Sequence, residues 1–180
     1  MAKKEVILGV SGSIAAYRAC DIVNNLRKAG TNVTVIMTRE AKEFVAPLTF
    51  QTLSHNKVYS EMFELPAEWN PIHTSLADMA DLIIIAPACA NVIGKIANGI
   101  CDDLLTCVVL ASKAKTLIAP AMNDKMYLNP AVQDNIKKLK DRGIRFIGPI
   151  KGLLACGHDS IGHIADTASI ILEAKKLLKG

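Results

Sequence analysis

The chain has 180 residues, of which 51% are hydrophobic and only 4% aromatic, so its core must rest on aliphatic side chains and alanine. That balance suits buried parallel strands under helices better than an antiparallel sandwich rich in Tyr and Trp. The net charge of +4 comes from scattered Lys and Arg; without a basic block interleaved with aromatics, nucleic acid is not an expected partner. Cys20, Cys89, Cys101, Cys107 and Cys156 are irregularly spaced with no C-x-x-C pair. The apolar runs Val6–Val10 and Leu82–Ala90 are too short for a signal segment or a membrane span. The expectation is a cytoplasmic protein with reduced thiols and no membrane partner.

In chain order, Val6–Val10 reads as a first strand and Ile14–Lys28 as an amphipathic helix ended by Gly30. Val33–Met37 is a second strand, followed by a helical stretch near Ala41–Leu53. Leu82–Ala86 is a central strand, with helical turns from Asn91 through Leu110. Thr116–Ala119 and Arg145–Ile147 are further strands, separated by a helix over about Pro130–Arg142, and Thr167–Leu178 is a last helix with a Lys-rich end. This alternation predicts an α/β, Rossmann-like (flavodoxin-like) three-layer fold, a parallel sheet wrapped by helices. With no repeat, low-complexity tract or linker, residues 1–180 are expected to form one domain.

Ligands of such sheets bind outside the carboxyl ends of the strands. Three unusual segments fall there: Ser11-Gly12-Ser13, Pro87-Ala88-Cys89-Ala90-Asn91 and Pro120-Ala121-Met122-Asn123. Small residues in the first let backbone N–H groups approach a phosphate at a helix start; an ordinary serine-capped turn fits the same residues. No G-x-G-x-x-G or P-loop is present. The second strand runs into Thr38 and Arg39, which suit a terminal phosphate better than a ribose diol. A mononucleotide such as FMN is therefore favoured over NAD.

Asn123 offers a carboxamide that can hydrogen-bond a carboxylate without neutralising it. That suits a group to be held and then lost as CO2. Asn70-Pro71-Ile72-His73 reads as a helix start, with Asn70 as cap and Pro71 at the first helical position. His73 then lies in the first turn, where the helix dipole favours an uncharged base; a capping or surface histidine is the plainer reading. Cys156 sits in a glycine-bearing segment, Gly148–Gly162, read as a mobile loop whose thiol can close over a ligand and donate a proton. A small buried thiol is the alternative, and Cys156, His158 and His163 form a weak zinc pattern. Asp102 and Asp103 read as acids at a helix start.

Together these segments resemble the flavin-containing cysteine decarboxylases, over nearly the whole chain. The resemblance rests on P-x-M-N-x-x-M (Pro120–Met126), a histidine before the central strand (His73), L-A-C-G (Leu154–Gly157) and Lys95–Gly99. Within that family it is strongest for the branch that acts on 4'-phosphopantothenoylcysteine in coenzyme A biosynthesis. It implies FMN contacts at Gly12, Ser13, Ile14, Thr38, Cys89, Ala90, Asn91, Thr106 and Ala121. It also implies substrate contacts at Met122, Asn123, Met126 and Ala155, catalytic roles for His73 and Cys156, and no metal. Tyr127 stands where relatives carry tryptophan, and Gly157–Ile164 departs from the G-D-x-G-x-G-R-M run. The implied reaction is transient oxidation to a thioaldehyde, CO2 loss to an ene-thiolate and re-reduction to 4'-phosphopantetheine. A peptidyl-cysteine decarboxylase and a non-catalytic FMN-binding regulatory protein are the alternatives, and a flavin prenyltransferase is more remote. The resemblance further implies a homotrimer or homododecamer. It allows a separate phosphopantothenate-cysteine ligase as partner, with the chain either a stand-alone decarboxylase or an excised domain.

Overall fold

A parallel six-stranded sheet forms the centre of the structure, a computed structural model that describes residues 3–63, 70–155 and 157–179. Its strands are β1 (Glu5–Val10), β2 (Asn32–Met37), β3 (Val58–Tyr59), β4 (Leu82–Ala88), β5 (Lys115–Pro120) and β6 (Arg145–Phe146). They lie in the order β3-β2-β1-β4-β5-β6. The helices are α1 (Arg18–Lys28), α2 (Pro47–Ser54), α3 (Ile72–Met79), α4 (Ala90–Asn98), α5 (Leu104–Ala111), α6 (Asp124–Leu128), α7 (Pro130–Asp141) and α8 (Thr167–Lys179). An antiparallel hairpin, β7 (Ile150–Leu153) and β8 (Asp159–His163), stands apart from the sheet.

The period of two in the strands sorts their side chains into two cores. Val6, Leu8 and Val10 point to one face and pack with Ile22 and Leu26 of α1, Phe50 of α2 and Ile170 of α8. Ile7, Ile83 and Ile85 point to the other and meet Leu76 of α3, Ile93 of α4, Leu105 of α5 and Ile136 of α7. β4 is buried along its whole length, as a strand covered on both faces must be. Each fully buried Ile or Leu contributes about 1.5–3 kcal/mol, so this double coverage outweighs the surface ion pairs in holding the fold.

Several elements differ from the sequence expectation for identifiable reasons. The first helix opens with a 3-10 turn, Ile14–Tyr17. The stretch after β2 divides into a 3-10 turn, Arg39–Glu43, and α2, which Pro47 restarts. Gly99, at φ 72°, stops α4, and Asp103 caps α5 by accepting the Thr106 N–H at 2.8 Å. Pro71 is the cap of α3 and not its first helical residue, leaving Asn70 outside the helix. The Gly148–Gly162 segment is not loop throughout. It holds the β7–β8 hairpin, overlooked because β7 is largely exposed and neither strand carries an apolar run.

Candidate active site

The chain runs outward from β1 to β2 and β3, then returns to place β4 on the other side of β1. Their carboxyl ends therefore bound a switch-point crevice, where ligands of open α/β sheets bind. Ser11 ties the two ends together: its buried hydroxyl donates to the Pro87 carbonyl at 2.8 Å and accepts the Cys89 N–H at 2.9 Å. Gly12 is needed because a Cβ there would come within 2.5 Å of the Glu40 Cβ. Ser13 and Thr38 cap the adjacent 3-10 turns, accepting N–H groups of Ala15 and Ala41 at 3.3 and 3.4 Å. Two turn starts rich in N–H groups thus meet beside the end of β2.

Next to the crevice is a cavity of about 500 Å³, walled by the start of α1, the segment after β5 and the hairpin. Asn123 caps α6, its Oδ1 accepting the Lys125 N–H at 3.0 Å. The hairpin docks here through the Met122 N–H, which donates to the Gly162 carbonyl at 3.1 Å. Gly162 has φ 141°, and a Cβ on it would collide with the Met122 carbonyl oxygen. The hairpin tip closes with the Leu154 N–H on the His158 carbonyl at 3.0 Å. His158 Nε2 in turn donates to Asp124 Oδ2 at 3.1 Å. That bond, followed by one from Ser160, holds the Asp124 carboxyl below the usual carboxylate range.

Of the residues the sequence singled out, Ser13, Ile14, Ala121, Met122, Asn123 and Ala155 line this cavity. Gly12, Thr38, Cys89, Ala90 and Asn91 sit at neighbouring strand ends without lining it. Thr106 is buried in α5 with its hydroxyl turned to Asp103, and Met126 is exposed on α6. His73 is half-buried at the start of α3. Its neighbours Ile72, Leu76 and Ala77 pack in the core that Met122 also touches, but His73 is not among the described residues that line the cavity. Cys156 lies outside the described residues; Leu154 and Ala155 before it reach the cavity wall. His158 and His163 make separate contacts, with Asp124 and with the Ile164 carbonyl. Sequence reasoning passed over Tyr17 and Arg18, which also line the cavity and which nothing in a helical surface pattern marks, and took His163, a further lining residue, only as part of a weak zinc pattern.

The donor set fits a flavin mononucleotide. Small residues Gly12, Ser13, Cys89 and Ala90 keep the strand ends open, and Ser13 and Thr38 flank a place for one phosphate group. A family model described as Flavoprotein matches residues 1–179. The chain belongs to the flavoprotein family. This flavoprotein is 51% identical over 176 residues to the coenzyme A biosynthesis bifunctional protein CoaBC of Bacillus subtilis. The match takes in 96% of this chain but 43% of that protein, so the chain spans less than half of its length. Similarity to a probable phosphopantothenoylcysteine decarboxylase of Streptococcus mutans is 44% over 177 residues, covering 97% of this chain and 99% of the relative. Among solved structures, a PPC decarboxylase mutant complexed with pantothenoylaminoethenethiol matches with a TM-score of 0.87 at 29% identity, over 99% of this flavoprotein and 100% of that chain. The FMN-dependent cysteine decarboxylase SpaF matches equally well, with a TM-score of 0.87 at 30% identity over 99% of both chains.

Proposed function

We propose that this flavoprotein decarboxylates 4'-phosphopantothenoylcysteine to 4'-phosphopantetheine with FMN as cofactor, a step of coenzyme A biosynthesis. The observation that carries the reading is the meeting of Asn123 with the Leu154–Ala155 side of the hairpin in one cavity. A relative of nearly equal length that is named as such a decarboxylase supports it.

A cysteinyl carboxylate has no adjacent electron sink. Bound FMN supplies the transient oxidation that turns the thiol carbon into a thioaldehyde, and the reduction that later reverses it. Asn123 orients the carboxylate and, being neutral, does not stabilise it as a full positive charge would. The carboxylate, now β to the C=S group, leaves as CO2 and the electron pair rests on sulfur. His73 assists removal of the thiol-side proton in the first step, and Cys156 returns a proton to the ene-thiolate carbon in the last.

His73 does not line the cavity of its own chain, while Ile14, Tyr17 and Leu153 around that cavity are 59%, 52% and 67% exposed. Both features support a site shared between copies, and we propose a homotrimer or a homododecamer built from it. A separate phosphopantothenate-cysteine ligase would supply the substrate, and the reduced thiols fit a cytoplasmic setting.

The deciding assay offers purified protein 4'-phosphopantothenoylcysteine or a cysteine-terminated peptide and measures CO2. Release from the first only is expected. Release from the peptide alone would replace this reading with a peptidyl-cysteine decarboxylase, and release from neither, with FMN bound, would point to a regulatory protein.

A further inference from the structure

We propose that Arg18 anchors the phosphate monoester of the substrate and so sets the preference for phosphorylated over dephosphorylated substrate. The inference rests on the decarboxylase reading above. Arg18 is the first residue of α1 and lines the cavity that Asn123 also lines. Arg18 is half-buried, and its guanidinium lies over the Tyr17 ring, 5.1 Å from the centroid. Among the described residues it has no carboxylate partner. Lys4, Lys42, Lys95, Arg145 and Lys176 all pair with acids, and the guanidinium groups of Arg27 and Arg142 cap carbonyls.

The chemistry of the cavity points the same way. No Asp or Glu is among its described lining residues, so an entering dianion meets no like charge. His163 is the other basic group there. Its Nδ1–H donates to the Ile164 carbonyl at 2.9 Å, which leaves Nε2 for a ligand. A guanidinium presents a fork that matches phosphate oxygens, and the aromatic ring beneath it limits its rotamers. The substrate carries two anions with opposite requirements. The carboxylate must be released and meets the neutral Asn123; the phosphate must be retained and meets a permanent charge. The place for the cofactor phosphate extends away from this cavity towards Thr38 at the end of β2, which does not line it, with Ser13 reaching both.

The test compares wild type, Arg18→Gln and Arg18→Lys as FMN-loaded proteins. It reads kcat/KM for 4'-phosphopantothenoylcysteine and pantothenoylcysteine, together with bound FMN. The expected result for Arg18→Gln is a loss of about ten- to hundredfold in the ratio of the two kcat/KM values, carried by KM. Arg18→Lys should restore part of it, and FMN content should equal that of wild type. An unchanged ratio would overturn the assignment, as would loss of FMN, which would give Arg18 to the cofactor phosphate. Calorimetry of 4'-phosphopantetheine and pantetheine binding to the same proteins needs no turnover. If wild type decarboxylates neither compound, the functional reading falls, and the binding preference alone decides the role of Arg18.

Discussion

Asp124, the residue directly after Asn123, is joined to His158 across the hairpin tip at 3.1 Å. The contact couples the segment that presents the carboxamide to the one that carries Cys156. Asp124→Asn or His158→Ala should loosen the tip and let the ene-thiol escape before reduction, raising its share of product about threefold. Chromatography of product released at steady state reads this directly, and an unchanged share would remove the coupling. Because the Asp124 carboxyl is held low, chiefly by His158, the contact contributes above the usual carboxylate range and fades as pH falls through it.

Gly162→Ala places a methyl group against the Met122 carbonyl oxygen in a backbone conformation that disfavours side chains. A cost of about 1–3 kcal/mol is expected, concentrated in the hairpin. Limited proteolysis should show earlier cleavage within residues 150–163, while the sheet stays intact. Cleavage at the wild-type rate would show that the hairpin can shift to admit the methyl.

Ser11→Ala deletes both hydroxyl bonds between the ends of β1 and β4, leaving the Ser11 N–H on the Pro87 carbonyl at 3.2 Å. Leaving the half-buried Cys89 N–H without its hydroxyl partner should cost about 1 kcal/mol, a fall in Tm of about 2–4 °C. FMN retention on dilution should weaken in parallel. A variant that melts like wild type yet loses FMN would move Ser11 from a structural to a ligand-binding role.

How much of this was legible in the sequence depends on burial. The β4 strand is apolar throughout and could hardly be misread, and the Pro120–Asn123 segment announced its carboxamide. The hairpin escaped because Ile150, Lys151 and Leu153 are exposed and carry no burial signal. Arg18 sits in an ordinary amphipathic pattern, and only folding shows that the adjacent turn opens a cavity. That His73 does not line that cavity was hidden too, since a linear pattern does not encode which strand ends a helix start faces.

Lys95 bridges Asp102 and Asp103 at 2.7 and 2.9 Å, fastening α4 to the start of α5. Partial burial works against its charge, but these hydrogen bonds outweigh it and raise the ammonium pKa well above that of an ordinary lysine. The Asp102 carboxyl is lowered, chiefly by Lys95. The clamp is therefore complete between the usual carboxylate and lysine ranges, failing as pH falls through the first or rises beyond the second. Lys95→Met should lower Tm by about 2–4 °C at pH 7 and much less at pH 3. An equal shift at both pH values would exclude the ion pairs as the cause.

A shared site predicts complementation. His73→Asn and Asn123→Gln should each be inactive alone. Co-expressed with different tags and isolated as mixed trimers, they should regain about a third of wild-type activity, since one interface of the three in every mixed trimer carries both native residues. Mixed oligomers with no gain would place His73 and Asn123 in the same chain's site.

The bond between Ser11 and Pro87 joins positions 76 residues apart. On a ribosome adding about 5–20 residues per second, that separation is roughly 4–15 s of synthesis. During this interval β1 can pair with β2 while its other edge, which β4 will cover, stays open. The nascent chain thus carries an unpaired apolar strand edge before its centre can close. Yield in cells should respond to translation speed and to chaperone supply more than the stability of the finished fold suggests.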